Sequence, residues 1–285
     1  MPELTETIEG ARAAIAKARA AGKTVALVPT MGALHEGHVR LIGQARAEAG
    51  FAVVSIFVNP TQFGPSEDFA RYPRALDADR RRCEEAGADL VFAPRVAARY
   101  PRGGSSTFVA VSGLSDVLEG ASRPGHFRGV ATVVLKLFEI VRPDLGVFGA
   151  KDFQQQLVIR RMVEDLNLPI AIRALPTVRE PDGLALSSRN RYLGPEDRRA
   201  ALVLWKAIQT AVKAVSEGER DGDRVRQVLR ETIQSEPRGA LDYAEVADAG
   251  TLSPLARLAA GHPAVALLAV RVGATRLIDN AILME

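Results

Sequence analysis

The chain has 285 residues, 47% of them hydrophobic and 25% charged, and its 37 basic residues against 34 acidic ones leave a net charge of +3. That composition excludes a disordered chain, which would lack the apolar area to offset its ordering entropy, and the single cysteine, Cys83, excludes a disulfide framework. No basic tail is clustered and no run of ~18 apolar residues is free of charge, so neither a nucleic-acid partner nor a membrane span is expected.

The N-terminal stretch 1–22 lacks the apolar centre of a signal peptide and reads as an amphipathic helix, which predicts a cytoplasmic protein. The β-branched run 23–30 ends at a proline, and 35–50 follows with helical periodicity. The stretch 51–58 is apolar at nearly every position, as suits a strand covered on both faces. Helix 73–88, strand 88–94, helix 126–143, strand 144–149, helix 151–167 and strand 169–178 continue the alternation. Repeated βα units of this kind predict an α/β fold with a doubly wound, Rossmann-like parallel sheet over residues 1–177. A loop at 179–198, two helices (195–216 and 221–235) and three strand-like runs predict a smaller C-terminal α+β domain over 178–285.

Four segments carry chemistry. In PTMGALHEGH a strand passes through a glycine turn into a helix N-terminus, where orphaned N–H groups and the helix dipole favour an anion. His35 and His38 are three apart and share a helix face, so both can donate to one polyanion. The zinc-helix pattern needs histidines four apart, and no G-x-G-x-x-G turn is present. In FVNPTQFG, Asn59 and Gln62 each offer a donor and an acceptor at the carboxyl end of a strand, although Asn-Pro is also an ordinary turn start.

In FGAKDFQQQ, Lys151 is one of only six lysines and sits where a cation opposes the helix dipole, which makes sense if an anion binds there. Asp152 suits capping, and Gln155 lies one turn on. In LALSSRNR, Ser187, Ser188 and Arg189 can wrap a phosphate chain; the competing reading is a solvated linker. Cys83 reads as a small buried hydrophobe, and Trp205, Ile208, Val212 and Val215 as a core stripe. His126, in RPGHFRG, is open between capping the long helix and lining a pocket.

Together VPTMGALHEGH, FVNPTQFG, YPR, GHFRGVATVV, FGAKDFQQ and LSSRNRYL resemble the pantoate–β-alanine ligase family of the nucleotidylyltransferase superfamily, whose H-x-G-H signature stands here as His35-Glu36-Gly37-His38. One departure is Ala150, where the family commonly carries Glu; Lys151 and Asp152 stay in register. The resemblance implies ATP-dependent activation of pantoate as an adenylate, release of pyrophosphate, and attack by β-alanine to give pantothenate and AMP. It implies that His35 and His38 hold the phosphate chain, with His38 as proton donor, and that Lys151 stabilises charge at the α-phosphate. Met31, Gly32, Ala33, Leu34, Glu36 and Gly37, then Gly149, Ala150 and Asp152, then Val178, Leu186, Ser187, Ser188 and Arg189 would complete the ATP site. Gln62 and Gln155 would bind pantoate with Asn59 and His126 nearby, and Val130, Val133 and Val134 would pack its gem-dimethyl group. Mg²⁺ with unassigned ligands, a homodimer, and a lid role for the second domain are also implied.

Two other readings remain. A nucleotidylyltransferase acting on a phosphate-bearing acceptor would share the histidines but leave Asn59, Gln62 and Gln155 without a purpose. A nucleotide sensor or RNA-binding module would use the same loops, but the arginines are scattered and no aromatic stacking platform is present.

Overall fold

In the computed structural model, which describes residues 1–65 and 67–284, the most apolar runs become the centre of a parallel sheet. The elements of the first part are β1 (Glu3–Thr5), α1 (Ile8–Ala20), β2 (Val25–Thr30), α2 (Glu36–Glu48), β3 (Phe51–Ile56), α3 (Leu76–Glu85), β4 (Leu90–Phe92), α4 (Val96–Arg99), α5 (Glu119–Ser122), α6 (His126–Val141), β5 (Leu145–Gly149), α7 (Phe153–Asp165) and β6 (Ala171–Leu175). Six strands pair in the order β1-β4-β3-β2-β5-β6, every pair parallel.

Ala26 and Val28 of β2 pack in one core with Leu34, Ile42 and Ala45 of the α2 region. Val25 and Leu27 point the other way by the two-residue period of a strand, yet are equally buried. Helices α1 and α6 pack against each other and against β2, while α2 packs on β2, β3 and β5. Helices therefore cover both faces, and the expected doubly wound sheet is the one found. The strand order reverses between β2 and β5, and the crevice beyond the carboxyl ends at such a reversal is where open α/β sheets bind ligands.

The N-terminus differs from its sequence reading. Glu3–Thr5 is an edge strand paired with β4, and the helix begins only at Ile8, capped by Thr7, whose hydroxyl accepts from Gly10 N at 3.0 Å. Three residues are too few to show alternation, so this strand is set by its partner, not by its own pattern.

After β6 come α8 (Pro195–Ala200), α9 (Leu202–Ser216), α10 (Gly222–Gln234), β7 (Gly239–Asp248), β8 (Ala264–Val272) and β9 (Thr275–Met284), the strands forming an antiparallel sheet in the order β7-β8-β9. Ile208 and Val215 of α9 are buried in the core of this part, whereas Val212, expected in the same stripe, is exposed. Trp205 is partly buried against that core.

The chain divides into two compact units. The second holds the chain from Thr177 on together with two short segments, Val117–Ser122 and Lys151–Gln154; the remainder forms the first. Hydrogen bonds bind those segments into the second unit: Gln154 accepts from Glu119 N at 3.1 Å and donates to Val117 O at 2.8 Å. Glu119 in turn pairs with Arg276 of β9 and accepts from the Tyr243 hydroxyl of β7. Burial, and then the Glu119 charge, push the Tyr243 hydroxyl well above its ordinary pKa, so it remains a donor.

Candidate active site

The turn from β2 into α2 requires two successive left-handed residues, Gly32 at φ 82° and Ala33 at φ 51°. Its main-chain donors are engaged inside the protein. Gly32 N donates to Thr30 Oγ1 at 3.2 Å, and Ala33 N and Leu34 N donate to the two oxygens of Asp79 at 2.9 and 2.8 Å. His35 N donates to His38 Nδ1 at 3.2 Å. The N–H groups of Ala33 and Leu34 are therefore engaged before the helix begins at Glu36. Asp79, buried on α3, occupies two of the donors.

The same geometry sets the proton on His38. Because Nδ1 accepts from the His35 amide, the hydrogen of the neutral ring sits on Nε2. The two rings lie 4.1 Å apart between centroids. Cys83, one turn beyond Asp79, is fully buried; burial and then the Asp79 charge push its thiol up to about 12, which fits the small-hydrophobe reading.

Replacing Asp79 by asparagine keeps the shape but turns an amide NH₂ toward one of two buried N–H groups. Asp79→Asn is expected to lower stability by on the order of 1–2 kcal/mol. Denaturant unfolding reads this as a lower midpoint at unchanged slope, and an unchanged midpoint would show that the clamp contributes nothing.

At the end of β3, the 3₁₀ turn Pro60–Gln62 is built around Asn59. Asn59 Nδ2 donates to Gln62 Oε1 at 3.1 Å and to Gly129 O at 3.2 Å, while its Oδ1 accepts from Thr61 Oγ1 at 3.1 Å and Tyr100 Oη at 2.8 Å. With each polar atom of Asn59 doubly engaged, this residue positions Gln62 and does not reach outward. The bond from Asn59 fixes Gln62 Oε1 as acceptor, so Nε2 is the donor end, 3.1 Å from Met31 Sδ.

His126 begins α6 and is settled by its partners. Its Nδ1 lies 2.8 Å from Gln62 O, which must accept, so Nε2 accepts from Arg123 Nη1 at 3.1 Å. Arg123 forks onto Glu67 with two contacts of 2.7 Å. Burial opposes the Glu67 charge, but the Arg123 hydrogen bonds and charge outweigh it and hold the carboxyl below its usual range. His126 thus buttresses the Gln62 loop. Val130, Val133 and Val134 follow it at four, seven and eight residues on the same helix face, all buried. Between them Gly129 admits the loop: a Cβ there would stand 2.3 Å from Thr61 O.

Strand β5 ends at Gly149, where an added Cβ would meet open space, and Ala150–Asp152 form a 3₁₀ turn before α7. The Lys151 side chain is 21% exposed, and its ammonium lies 3.8 Å from the half-exposed Asp152 carboxylate. Gln155, in the first turn of α7, is half-buried.

The loop after β6 is ordered, against the linker reading. Leu186 N donates to Val178 O at 2.9 Å, closing a small hairpin. Arg179 stacks 3.8 Å over Trp205 and forks onto Asp279 at 2.7 and 2.9 Å. Ser187 caps the 3₁₀ turn Ser188–Tyr192 by accepting from Arg189 N at 3.3 Å. Asn190 Nδ2 ties that turn back to Glu180 and to Ala185 O.

Among the described residues no three histidine, cysteine or carboxylate side chains converge as a metal cage. One residue central to this geometry escapes a motif search. Asp79 is distant in sequence from the turn it clamps and carries no local signal. Gly129 does carry one, as an isolated glycine inside a helical pattern.

The family model described as pantoate-beta-alanine ligase matches residues 3–282. Pantothenate synthetase of Moorella thermoacetica is 56% identical over 281 residues, spanning 99% of this chain and 98% of that protein. Pantothenate synthetase of Pelotomaculum thermopropionicum is 52% identical, with 97% of each chain covered. Among solved structures, pantothenate synthetase from Thermus thermophilus superposes with a TM-score of 0.93 at 46% identity, covering 99% of this chain and 100% of that one. The pantoate-beta-alanine ligase from Francisella tularensis, complexed with beta-gamma ATP and beta-alanine, gives 0.81 at 32% identity, with 99% and 98% covered.

Proposed function

The chain belongs to the pantoate–β-alanine ligase family, and from that premise we propose that it condenses pantoate with β-alanine, using ATP, through a pantoyl adenylate. A carboxylate oxygen of pantoate attacks the α-phosphorus, the α–β phosphoanhydride bond breaks, and pyrophosphate leaves. The amine of β-alanine then attacks the acyl carbon, the acyl–phosphate bond breaks, and AMP departs as the amine loses its protons.

The first step brings two anions together, so preorganised positive charge must meet the phosphates. We assign this to His35 and His38, with the Nε2–H of His38 as a hydrogen-bond donor to departing pyrophosphate, and to Lys151 at the α-phosphate. Ser187, Ser188 and Arg189, in the capped turn, bind the same phosphates, and Val178 and Leu186 flank the nucleotide. Gly149, Ala150 and Asp152 complete the nucleotide contacts. Mg²⁺ bound with ATP would offset phosphate charge. Such an ion is held mainly by phosphate and water with one or two carboxylates at most, for which Asp152 is the exposed candidate. A homodimer in the cytoplasm completes the reading.

The observation that carries the acceptor assignment is the locked amide of Gln62. Asn59 commits Oε1, and Nε2, one of whose hydrogens points to Met31 Sδ, offers its second to the hydroxyl or carboxylate oxygens of pantoate. Gln155 is the second such amide, and Val130, Val133 and Val134 supply apolar packing for the gem-dimethyl group. The test is exchange of labelled pyrophosphate into ATP with pantoate present and β-alanine absent. Exchange is expected with pantoate. Exchange with a phosphate ester and none with pantoate would favour a nucleotidylyltransferase of a different acceptor class.

A further inference from the structure

Lys151 stands in a 3₁₀ turn, a short element whose own hydrogen bonds hold it poorly. Its main-chain carbonyl is held from elsewhere: Asn280 Nδ2, on β9, donates to Lys151 O at 2.7 Å. Asn280 is itself buried and firmly placed. Its amide N–H donates to Asp279 Oδ1 at 2.8 Å, and Asp279, almost fully buried, takes the Arg179 fork. Among the described residues strand β9 is an edge of its sheet, pairing with β8.

The two consecutive residues thus reach different segments. Asp279 holds Arg179, which also donates to Gly183 O at 3.1 Å and so braces the 178–193 loop. Asn280 holds the turn that carries Lys151. We propose that Asn280 is a positioning residue for Lys151, fixing the backbone from which the ammonium reaches the nucleotide, and that the Asp279–Asn280 step sets the Lys151 turn and the 178–193 loop in one frame. This rests on the assignment of Lys151 to the α-phosphate. Electrostatic stabilisation of a transition state depends on where the donor stands before reaction, so loosening its backbone lowers the rate of adenylate formation without touching pantoate affinity.

The test compares pantoate-dependent pyrophosphate exchange in Asn280→Ala, Asn280→Asp, Lys151→Ala and the double variant Asn280→Ala/Lys151→Ala. Loss of one hydrogen bond corresponds to about 3–10-fold, so Asn280→Ala is expected to slow the maximal exchange rate by that factor with the KM for pantoate unchanged. Asn280→Asp, nearly isosteric but facing a carbonyl with a carboxylate, is expected to be slower still and gives a readout if the alanine variant folds poorly. In the Lys151→Ala background, adding Asn280→Ala is expected to change the rate by less than about 2-fold, because residues acting as a unit are not additive. Full exchange in both Asn280 variants, or the same loss in both backgrounds, would overturn the proposal. Normal exchange in Lys151→Ala alone would instead overturn the assignment of Lys151.

Discussion

Lys151→Ala is expected to slow adenylate formation by about 10²–10³-fold while leaving the fold intact, the loss typical of removing one preorganised donor from a transition state. Both halves of this expectation come from where the residue stands. A cation just before the first turn of α7 is opposed by the positive end of the helix dipole, so its removal does not weaken the helix. The nearby carboxylate of Asp152 is 3.8 Å away and half exposed, and such pairs contribute little to stability. On the proposed assignment, what is lost is charge held ready for the α-phosphate. Pyrophosphate exchange beside a thermal unfolding curve checks this: near-normal exchange removes Lys151 from the mechanism, and a collapsed unfolding temperature would make the residue structural.

Gly129→Ala is expected to be the most damaging single-methyl change in the first unit. In most helices glycine to alanine is favourable by up to about 1 kcal/mol from propensity alone. Here the new Cβ would lie 2.3 Å from Thr61 O, 2.6 Å from Thr61 C and 2.8 Å from Gln62 Cα, all main-chain atoms with no rotamer to yield. Either α6 or the Pro60–Gln62 turn must move, at a cost at the upper end of the ~1–3 kcal/mol typical of overpacking. The movement also breaks the Asn59–Gly129 bond that orients Gln62. Reduced stability should therefore be accompanied by a raised KM for pantoate with the KM for ATP little changed. A variant more stable than the parent, with normal pantoate kinetics, would show that α6 does not approach the turn this closely.

Much of the fold is legible along the chain because its causes are local. The run 51–58 is apolar throughout since β3 is covered on both faces, and the glycine turn before His35 leads into a helix. The histidine pair, Lys151 and the Gln62 loop are visible for the same reason: each sits in a short segment at the end of a strand. The roles of Asn59 and His126 are not legible, because both are set by partners far off in the chain. Asn59 answers to Tyr100 and Gly129, and His126 to the Gln62 carbonyl. Residue type marked them as polar groups near a pocket; only their filled hydrogen-bonding positions show that they hold Gln62 in place. The edge strand Glu3–Thr5 is a parallel case, visible only beside β4.

The amino-acid sequence by itself determined the alternation of strands and helices, the places where the chain leaves a strand for a helix, and the residue types offered there to an anion. These follow from periodicity, turn chemistry and charge, which act over a few residues. Tertiary structure decided which of those groups are available. Asp79, from another helix, engages the N–H groups of Ala33 and Leu34, and Asn280, from the last strand, donates to the carbonyl of Lys151. A buried donor takes whichever acceptor the fold brings within about 3 Å, and that choice is made by packing between distant segments, which no local pattern records.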